Sequence, residues 1–205
     1  MRLFGRRGAA SQRRGTPADL LVVGLGNPGV NYVGTRHNVG AEVVTELAGR
    51  RGVRLRRGRE RADVAEIDVG GQRMVLAVPQ IYVNLSGQAV RQLVRRHGVS
   101  DPTRLVVVHD ELDLDVGRIK VKRGGGLAGH KGLNSIKGHL GTDEFLRVRI
   151  GVGKPPGQRS GADHVLRRPS RAERSELDVA MAEAADAVEL ILADGVDAAM
   201  TRFNA

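Results

Sequence analysis

Hydrophobic positions follow two kinds of pattern along the chain, and together they predict strands alternating with helices. Short apolar or alternating runs predict strands at 19–26, 62–69, 72–78, 104–109, 118–122 and 147–153. Apolar residues at helical spacing predict helices over 39–52, 87–98, about 130–140 and 171–194. Gly70 and Gly71 separate two of the strands as in a hairpin, Pro79 ends the second strand, and Ser86 is expected to cap the second helix. The pattern predicts a single α/β domain, a mixed twisted sheet flanked by helices.

The first 18 residues differ in composition from the rest of the chain. They contain five arginines and no acidic residue, and most of the others are small or polar. We predict a disordered basic tail over 1–18 and one globular domain over 19–205. An over-extended start or a weak targeting sequence would give the same composition, and both alternatives stay open.

Composition limits the chemistry available to the chain. The 205 residues are 40% hydrophobic but only 2% aromatic, so Val, Leu, Ile and Ala must form the core. The sequence has no cysteine, which excludes disulfides, thiol nucleophiles and Cys-ligated zinc. No apolar run approaches the roughly 20 residues of a membrane span, and we expect a cytoplasmic protein.

The net charge of +10 indicates a polyanionic partner. Basic residues cluster at 50–61, 91–96, 118–123 and 147–149. A basic protein of this size often binds nucleic acid, although an arginine-rich solvated surface would have the same composition. Only five aromatic residues are available to stack on unpaired bases. Contacts to phosphates and to shape are therefore expected more than contacts to base identity.

A glycine motif follows the first predicted strand. Residues 22–29 read VVGLGNPG, which has the G-x-G-x-x-G spacing of dinucleotide-binding loops. In those loops a helix begins at once, whereas here Pro28 intervenes and helical spacing starts only ten residues later. The acid at the ribose-binding distance, Glu46, falls inside a predicted helix. A nucleotide-dependent oxidoreductase is therefore a remote alternative.

Several longer motifs occur in a fixed order along the chain. They are GLGNPG at 24–29, Y-x-x-T-R-H-N at 32–38, N-L-S-G at 84–87, H-D-E-L-D at 109–113, G-G-G at 124–126, G-H-x-G-L at 129–133 and R-I-G-V-G at 149–153. In this order the chain resembles bacterial peptidyl-tRNA hydrolases from residue 20 to about 195. The resemblance implies hydrolysis of the ester between a peptide and the 3′-terminal ribose of tRNA. It also implies one catalytic histidine and neither metal nor cofactor.

The resemblance assigns the catalytic roles to four residues. His37 matches the catalytic histidine, and a neutral imidazole can deprotonate an attacking water. Asp110 matches its partner, a carboxylate that fixes the tautomer and stabilises the imidazolium. Asn27 and Asn84 match two asparagines of the cleft, and Asn84 is a plausible donor to the developing oxyanion. Asn27 in Asn-Pro-Gly also has good turn chemistry, and both roles can hold at once.

Other positions are expected to bind the substrate, and two depart from the family pattern. Tyr32, Val83 and His130 match residues of the cleft, with Val83 standing where a methionine is common. Lys131 replaces an asparagine, and a lysine cannot accept a hydrogen bond. Lysine at this position could contact phosphates near the 3′ end, or, if buried near His37, lower the pKa of that imidazole. These departures leave a weakly active or non-catalytic RNA-binding paralogue as the main alternative.

The resemblance also implies a site for the 5′-phosphate of tRNA. Lys122 and Arg149 match the basic pair that holds this phosphate, and we expect both near strand ends beside glycine-rich loops. A monomer with peptidyl-tRNA as its partner and no membrane contact is expected.

The acidic run after the fourth predicted strand allows a metal site as a further alternative. Asp110, Glu111, Asp113 and Asp115 are carboxylates of the kind that bind hard cations. On an extended segment Asp110 would face away from the other three, so the metal reading is disfavoured.

Overall fold

The computed structural model describes residues 16–155, 157 and 160–205, and within them seven strands form one sheet. The strands are β1 (Leu20–Gly24), β2 (Arg56–Arg57), β3 (Ala62–Val69), β4 (Gln72–Pro79), β5 (Leu105–Glu111), β6 (Ile119–Arg123) and β7 (Leu146–Gly151). Their order across the sheet is β2-β3-β4-β1-β5-β7-β6. The helices are α1 (Val39–Arg50), α2 (Ser86–Arg96), α3 (Lys131–Leu140), α4 (Gly161–Val165), α5 (Arg171–Asp194) and α6 (Val196–Phe203).

The four central strands run parallel, and this brings distant segments to one edge. β4, β1, β5 and β7 are parallel neighbours, whereas β2, β3 and β6 are antiparallel at the two margins. The segments that follow β1, β4 and β5 therefore leave the sheet at the same edge. Ligands bind at this edge in open α/β sheets.

Helices cover both faces of the sheet. Alternate side chains of each central strand enter one of two aliphatic cores, under α1, α5 and α6 on one face and under α2 and α3 on the other. Close approach fixes two of the helices. A Cβ on Gly40 would lie 2.2 Å from the carbonyl oxygen of Val108, and a Cβ on Gly87 would lie 2.1 Å from that of Ser135. Any side chain at either glycine would push a helix away from its neighbour.

The predicted fold class is confirmed, and so are the hairpin around Gly70-Gly71 and the long C-terminal helix. The expected cap at Ser86 is wrong. Ser86 is already helical, Leu85 holds the capping position, and the buried Ser86 hydroxyl has no hydrogen-bond partner among the residues that the structure describes. β2, α4 and α6 were not predicted, because each is too short for its periodicity to stand out from the surrounding loops.

At the N-terminus the fold begins before β1. Ala18 is fully buried, and its N–H donates to the carbonyl oxygen of His97 at 2.9 Å. Residues 1–15 of the predicted basic tail lie outside the described residues, and the tail stays a prediction. Among the helices of the described ranges, none is long and apolar enough to cross a membrane.

Candidate active site

Asp110 and His37 meet at the carboxyl edge of the sheet. Asp110 is the penultimate residue of β5 and is buried, and His37 lies in a 3-10 turn that leads directly into α1. His37 Nδ1 lies 2.8 Å from Asp110 Oδ1. Because an ionised carboxylate can only accept, Nδ1 carries the hydrogen and Nε2 of the neutral ring is the free base. Within the described part of the chain, that Nε2 has no hydrogen-bond partner, and the ring lines a cleft.

A second imidazole reaches the same carboxylate oxygen through its other nitrogen. His130 Nε2 lies 3.1 Å from Asp110 Oδ1. Its Nδ1 accepts backbone N–H groups of Gly132 and Leu133 at the start of α3, at 3.1 and 3.4 Å. Nδ1 must therefore be unprotonated and Nε2 must carry the hydrogen. His130 both caps α3 and anchors Asp110.

A third histidine supports this pair from inside the core. His109 Nδ1 donates to the backbone carbonyl of Asp110 at 2.7 Å, and its ring stands edge-on to that of His130 at 5.0 Å. Burial, reinforced by the charge of His130, lowers the pKa of His109 to about 3. His109 is therefore neutral and contributes shape and one hydrogen bond. Sequence reasoning quoted His109 in a motif but gave it no role.

The charges of the cluster set its protonation. Burial would raise the pKa of Asp110, but His37 and His130 outweigh it and hold that pKa well below the usual range. Burial lowers the pKa of His37, yet the charge and hydrogen bond of Asp110 outweigh it, while Lys131 opposes them weakly. The net pKa of His37 is raised above 6.5. Asp110 is therefore a permanent anion, and His37 is a stronger base than free imidazole.

Asn27 is held in one orientation beside the two histidines. Its Oδ1 accepts the backbone N–H of Val83 at 2.9 Å, which leaves the amide hydrogens of Nδ2 for the cleft. The side chain of Asn38 forms two hydrogen bonds with the backbone of Asn27. Its Oδ1 accepts the N–H of Asn27 at 2.9 Å, and its Nδ2 donates to the carbonyl oxygen of Asn27 at 3.0 Å. Asn38 follows His37 in the chain, so one residue ties the loop of Asn27 to the histidine. It was quoted in a motif and missed as a positioning residue.

The cleft around these groups has a volume of about 440 Å³ and is lined by both polar and apolar side chains. Its polar lining includes Asn27, His37, Asn84, Asp110, His130 and Lys131. Tyr82, Val83, Val165 and Leu166 form the apolar wall. Tyr32, which was expected to line the cleft, is not among the lining residues of the described structure but packs edge-on against Tyr82, with ring centroids 6.3 Å apart. Tyr82 and α4 were missed because no pattern in the sequence connects them to the cleft.

Arg36 locks the histidine loop to the C-terminal third of the chain. Its Nη1 donates to the carbonyls of Arg167 and Arg168, and its Nη2 contacts both carboxylate oxygens of Glu173 at 2.8 and 2.9 Å. Glu173 also completes the capping box of α5 with Ser170. Hydrogen bonds from Arg36 and Ser170 lower the pKa of Glu173 to about 2. The position of His37 therefore depends on a helix that begins more than 130 residues later.

Lys131 occupies the first position of α3 and is exposed, although it lines the cleft. The condition that it lies buried near His37 is therefore not met. Its charge still opposes protonation of His37, but Asp110 dominates and the net pKa is raised. A cation at a helix N-terminus is unfavourable for the helix dipole, so this lysine adds nothing to the stability of α3.

Lys122 and Arg149 lie on one face of the sheet, outside the cleft lining. The register pairs Lys122 with Arg147 and Lys120 with Arg149, so the predicted partners are diagonal neighbours. Arg149 stands inside β7, not near its end as expected, and its Nε lies 3.1 Å from Glu111 Oε2.

Beside them, Arg147 is buried and donates to the carbonyls of Gly124, Gly125 and Gly126. It thereby fixes the glycine-rich loop that follows Lys122.

The acidic run does not gather as a metal site. β5 ends at Glu111, so the extended-segment argument holds for Asp110 and Glu111 alone, and a turn follows. The potential ligand cluster found in the described ranges is His37, Asp110 and His130. His37 Nδ1 and His130 Nε2 each carry a hydrogen directed at Asp110. His130 Nδ1 accepts backbone N–H groups at the start of α3. The cluster fits a hydrogen-bonded triad better than a metal centre, which needs bare nitrogens.

The glycine loop also differs from a dinucleotide site. Two 3-10 turns separate Gly29 from α1, which starts at Val39. In the described part of the chain no α-helix begins directly after the loop, where a dinucleotide site would hold the pyrophosphate. The space that the motif opens is filled by Asn38, whose side chain would lie 3.0 Å from a Cβ on Gly26.

Comparison with known proteins decides the family. A family model described as "Peptidyl-tRNA hydrolase" matches residues 21–205. The chain belongs to the peptidyl-tRNA hydrolase family. Peptidyl-tRNA hydrolases of Frankia alni and Pseudarthrobacter chlorophenolicus are 51% and 50% identical over 90% of this chain, covering 93% and 94% of those proteins. The crystal structure of the peptidyl-tRNA hydrolase of Acinetobacter baumannii superposes with a TM-score of 0.86 at 36% identity, covering 93% of this chain and 98% of that one.

Proposed function

We propose that this chain, like its family, cleaves the ester of peptidyl-tRNA, and that His37 is the general base. The observation that carries the assignment is the 2.8 Å contact between His37 Nδ1 and Asp110, which leaves Nε2 as an unpartnered base in the cleft. Family membership supplies the reaction class, a hydrolase acting on an ester bond. The geometry supports the division of labour among the residues.

The proposed reaction uses water and one proton relay. Water lies against Nε2 of His37, and its oxygen attacks the ester carbonyl carbon while Nε2 takes one of its protons. Asp110 stabilises the imidazolium that forms. When the tetrahedral intermediate collapses, the carbon–oxygen bond to the ribose breaks, and Nε2 returns the proton to the ribose oxygen. The products are a peptide with a free carboxyl group and tRNA with a free ribose hydroxyl.

The negative charge that develops on the carbonyl oxygen needs a donor. Asn27 offers the amide hydrogens of Nδ2, since its Oδ1 is occupied by Val83. Asn84 also lines the cleft but is exposed, and no hydrogen bond within the described ranges fixes its amide. We therefore assign the pre-oriented donor role to Asn27 and a substrate-contacting role to Asn84. A preorganised donor of this kind contributes about 3 kcal/mol to transition-state stabilisation.

The remaining predicted residues divide between peptide and tRNA. Val83, together with Tyr82 and Leu166, which the sequence did not predict, offers an apolar wall to the peptide, and Tyr32 packs edge-on against Tyr82. Lys131, exposed at the mouth, is suited to a phosphate near the 3′ end.

Lys122 and Arg149 remain our candidates for the 5′-phosphate. Arg149 forms an ion pair with Glu111, which offsets its positive charge. Lys122 is therefore the stronger candidate for binding the phosphate. We further propose a metal-independent monomer that works in the cytoplasm.

The direct test is release of free tRNA from N-acyl-aminoacyl-tRNA by the purified protein in the presence of a chelator. We expect turnover without added metal or cofactor, and a loss of at least about 10³-fold in kcat for His37→Ala. His139→Ala removes an exposed histidine of α3 and should leave kcat unchanged. Wild-type protein that binds tRNA without turnover would favour the RNA-binding paralogue, and loss of activity with chelator would contradict the metal-free mechanism.

A further inference from the structure

Arginines on two neighbouring segments form a surface that the catalytic site does not use. We define the arginine face as Arg59 and Arg61, just before and at the turn into β3, together with Arg91, Arg95 and Arg96 on α2. Arg59, Arg95 and Arg96 line one surface groove of about 290 Å³. Arg61 Nη1 donates to Oε1 of Gln88 on α2 at 2.7 Å, which joins the two segments.

Within the described residues, four of these five arginines make no ion pair with a carboxylate, whereas Arg50 and Arg51, which are also neighbours on the surface, do. Between α1 and α5, Arg50 contacts Glu46 and Asp186 at 2.8 and 2.7 Å, and Arg51 contacts Glu189 at 2.8 Å. Across the arginine face the described residues hold one such ion pair, Arg96 with Glu60 at 3.1 Å.

All five arginines of the face are exposed. A surface arginine retained only for solubility has no reason to stand in a group of uncompensated charges, because these charges repel one another.

Backbone strain accompanies this grouping. Arg61 has a φ of 58°, in the left-handed region that favours glycine. In the described chain Ala128 is the other non-glycine residue with a positive φ, and Ala128 lines the catalytic cleft. The strained backbone directs the chain from Arg61 into β3 while its carbonyl accepts the N–H of Gln80. Strain of this kind concentrates at functional sites.

The arginine face also adjoins the cleft. β3 begins opposite the end of β4, so Arg61 lies at the carboxyl edge of the sheet, where Tyr82 and Asn84 enter the cleft. Helical spacing then places Gln88, Arg91 and Arg95 in one row along α2, beginning one turn after Asn84. The row from Gln88 to Arg95 is about 10 Å long.

We infer that the arginine face binds the sugar–phosphate backbone of the tRNA whose 3′-terminal ester occupies the cleft. The inference rests on the proposed function for the identity of the RNA. Guanidinium groups bind phosphates in two-point geometry, and a duplex carries about one charge per 1.7 Å of axis, so a 10 Å row meets several phosphates. Contacts to phosphates carry no base information, so binding by this face should be independent of base sequence.

The test compares two double variants that remove the same charge. Arg91→Gln/Arg95→Gln alters the arginine face, and Arg118→Gln/Arg202→Gln alters two exposed arginines elsewhere, the second of them in α6. Binding of deacylated tRNA is measured by fluorescence anisotropy at several salt concentrations. For the first variant we expect Kd to rise at least about fivefold near 100 mM salt, and the slope of log Kd against log salt to fall by about 1 to 2. The control variant should match wild type.

A phosphate-free substrate separates this proposal from the hydrolytic one. The ester of an N-acyl-amino acid with adenosine has no phosphate, so both variants should hydrolyse it as wild type does. Equal salt slopes for the two variants, or a loss of hydrolysis of the adenosine ester by Arg91→Gln/Arg95→Gln alone, would overturn the arginine face as an RNA contact. Failure of wild type to hydrolyse any ester would instead contradict the proposed function and leave the binding result interpretable.

Discussion

The 3-10 turn that contains His37 and the residue that caps α3, His130, both meet Asp110, and each places an imidazole on the same oxygen. The two rings differ in the nitrogen that they present. His37 uses Nδ1 and keeps Nε2 for the cleft, whereas His130 uses Nε2 and spends Nδ1 on the backbone of α3. The comparison teaches that position alone does not make a histidine a base. Only the ring with an uncommitted nitrogen can accept a proton.

The largest loss of activity should come from removing Asp110, the anion that both histidines contact. Asp110→Asn deletes the charge that raises the pKa of His37, and we expect kcat/KM to fall by about 10²–10⁴-fold. In wild type, activity should rise as the pH rises through the raised pKa of His37, because the neutral ring is the base. In the variant this limb should move to lower pH. A pH profile of kcat/KM for both proteins tests the expectation, and an unmoved limb would contradict it.

The second prediction separates the two tasks of His130. Asparagine can cap α3 but cannot reproduce the Nε2 contact with Asp110, whereas alanine does neither. We expect both His130→Asn and His130→Ala to lose about tenfold in kcat, and only the alanine variant to lose a further ~1 kcal/mol in the free energy of unfolding. Steady-state kinetics and urea unfolding measure the two quantities. A loss in kcat as large as that of His37→Ala would mean that His130 is itself a proton acceptor.

The smallest effect should come from replacing Lys131, whose charge acts weakly on His37. Lys131→Asn removes a cation that opposes protonation of His37, so the pKa of that ring should rise and the acid limb should move to higher pH. If the lysine holds a phosphate, tRNA affinity should fall about threefold with kcat unchanged at high pH. A gain in kcat at high pH would show instead that the lysine impairs the site.

Most helices and strands could be predicted from the sequence, because the spacing of apolar residues shows which face of each element is buried. The hairpin at Gly70-Gly71 and the bounds of α5 follow directly from it. The cap at Ser86 could not be predicted reliably, since the sequence does not say where a buried hydroxyl points. α4 contributes to the cleft through packing with distant segments, which a local pattern does not contain.

The candidate site was predicted through family resemblance, and the structure brings His37, Asp110, Asn27 and His130 together. The catalytic roles of the first three and the substrate-binding role of His130 stay predictions. The tautomers, the pairing of Arg149 with Glu111 and the exposure of Lys131 could not be read from the sequence, because each depends on contacts between residues far apart in the chain. The same holds for His109, whose motif indicated proximity to Asp110 but not its burial.

The contact between Arg36 and Glu173 has a consequence for synthesis of the chain itself. The two residues are 137 positions apart, and the carboxylate that pins Arg36 also starts α5. A growing polypeptide therefore has His37 long before it has the anchor that sets the histidine in place. While it is made, this chain is itself a peptidyl-tRNA. The contact that anchors its histidine loop can form only after the start of α5 has been synthesised.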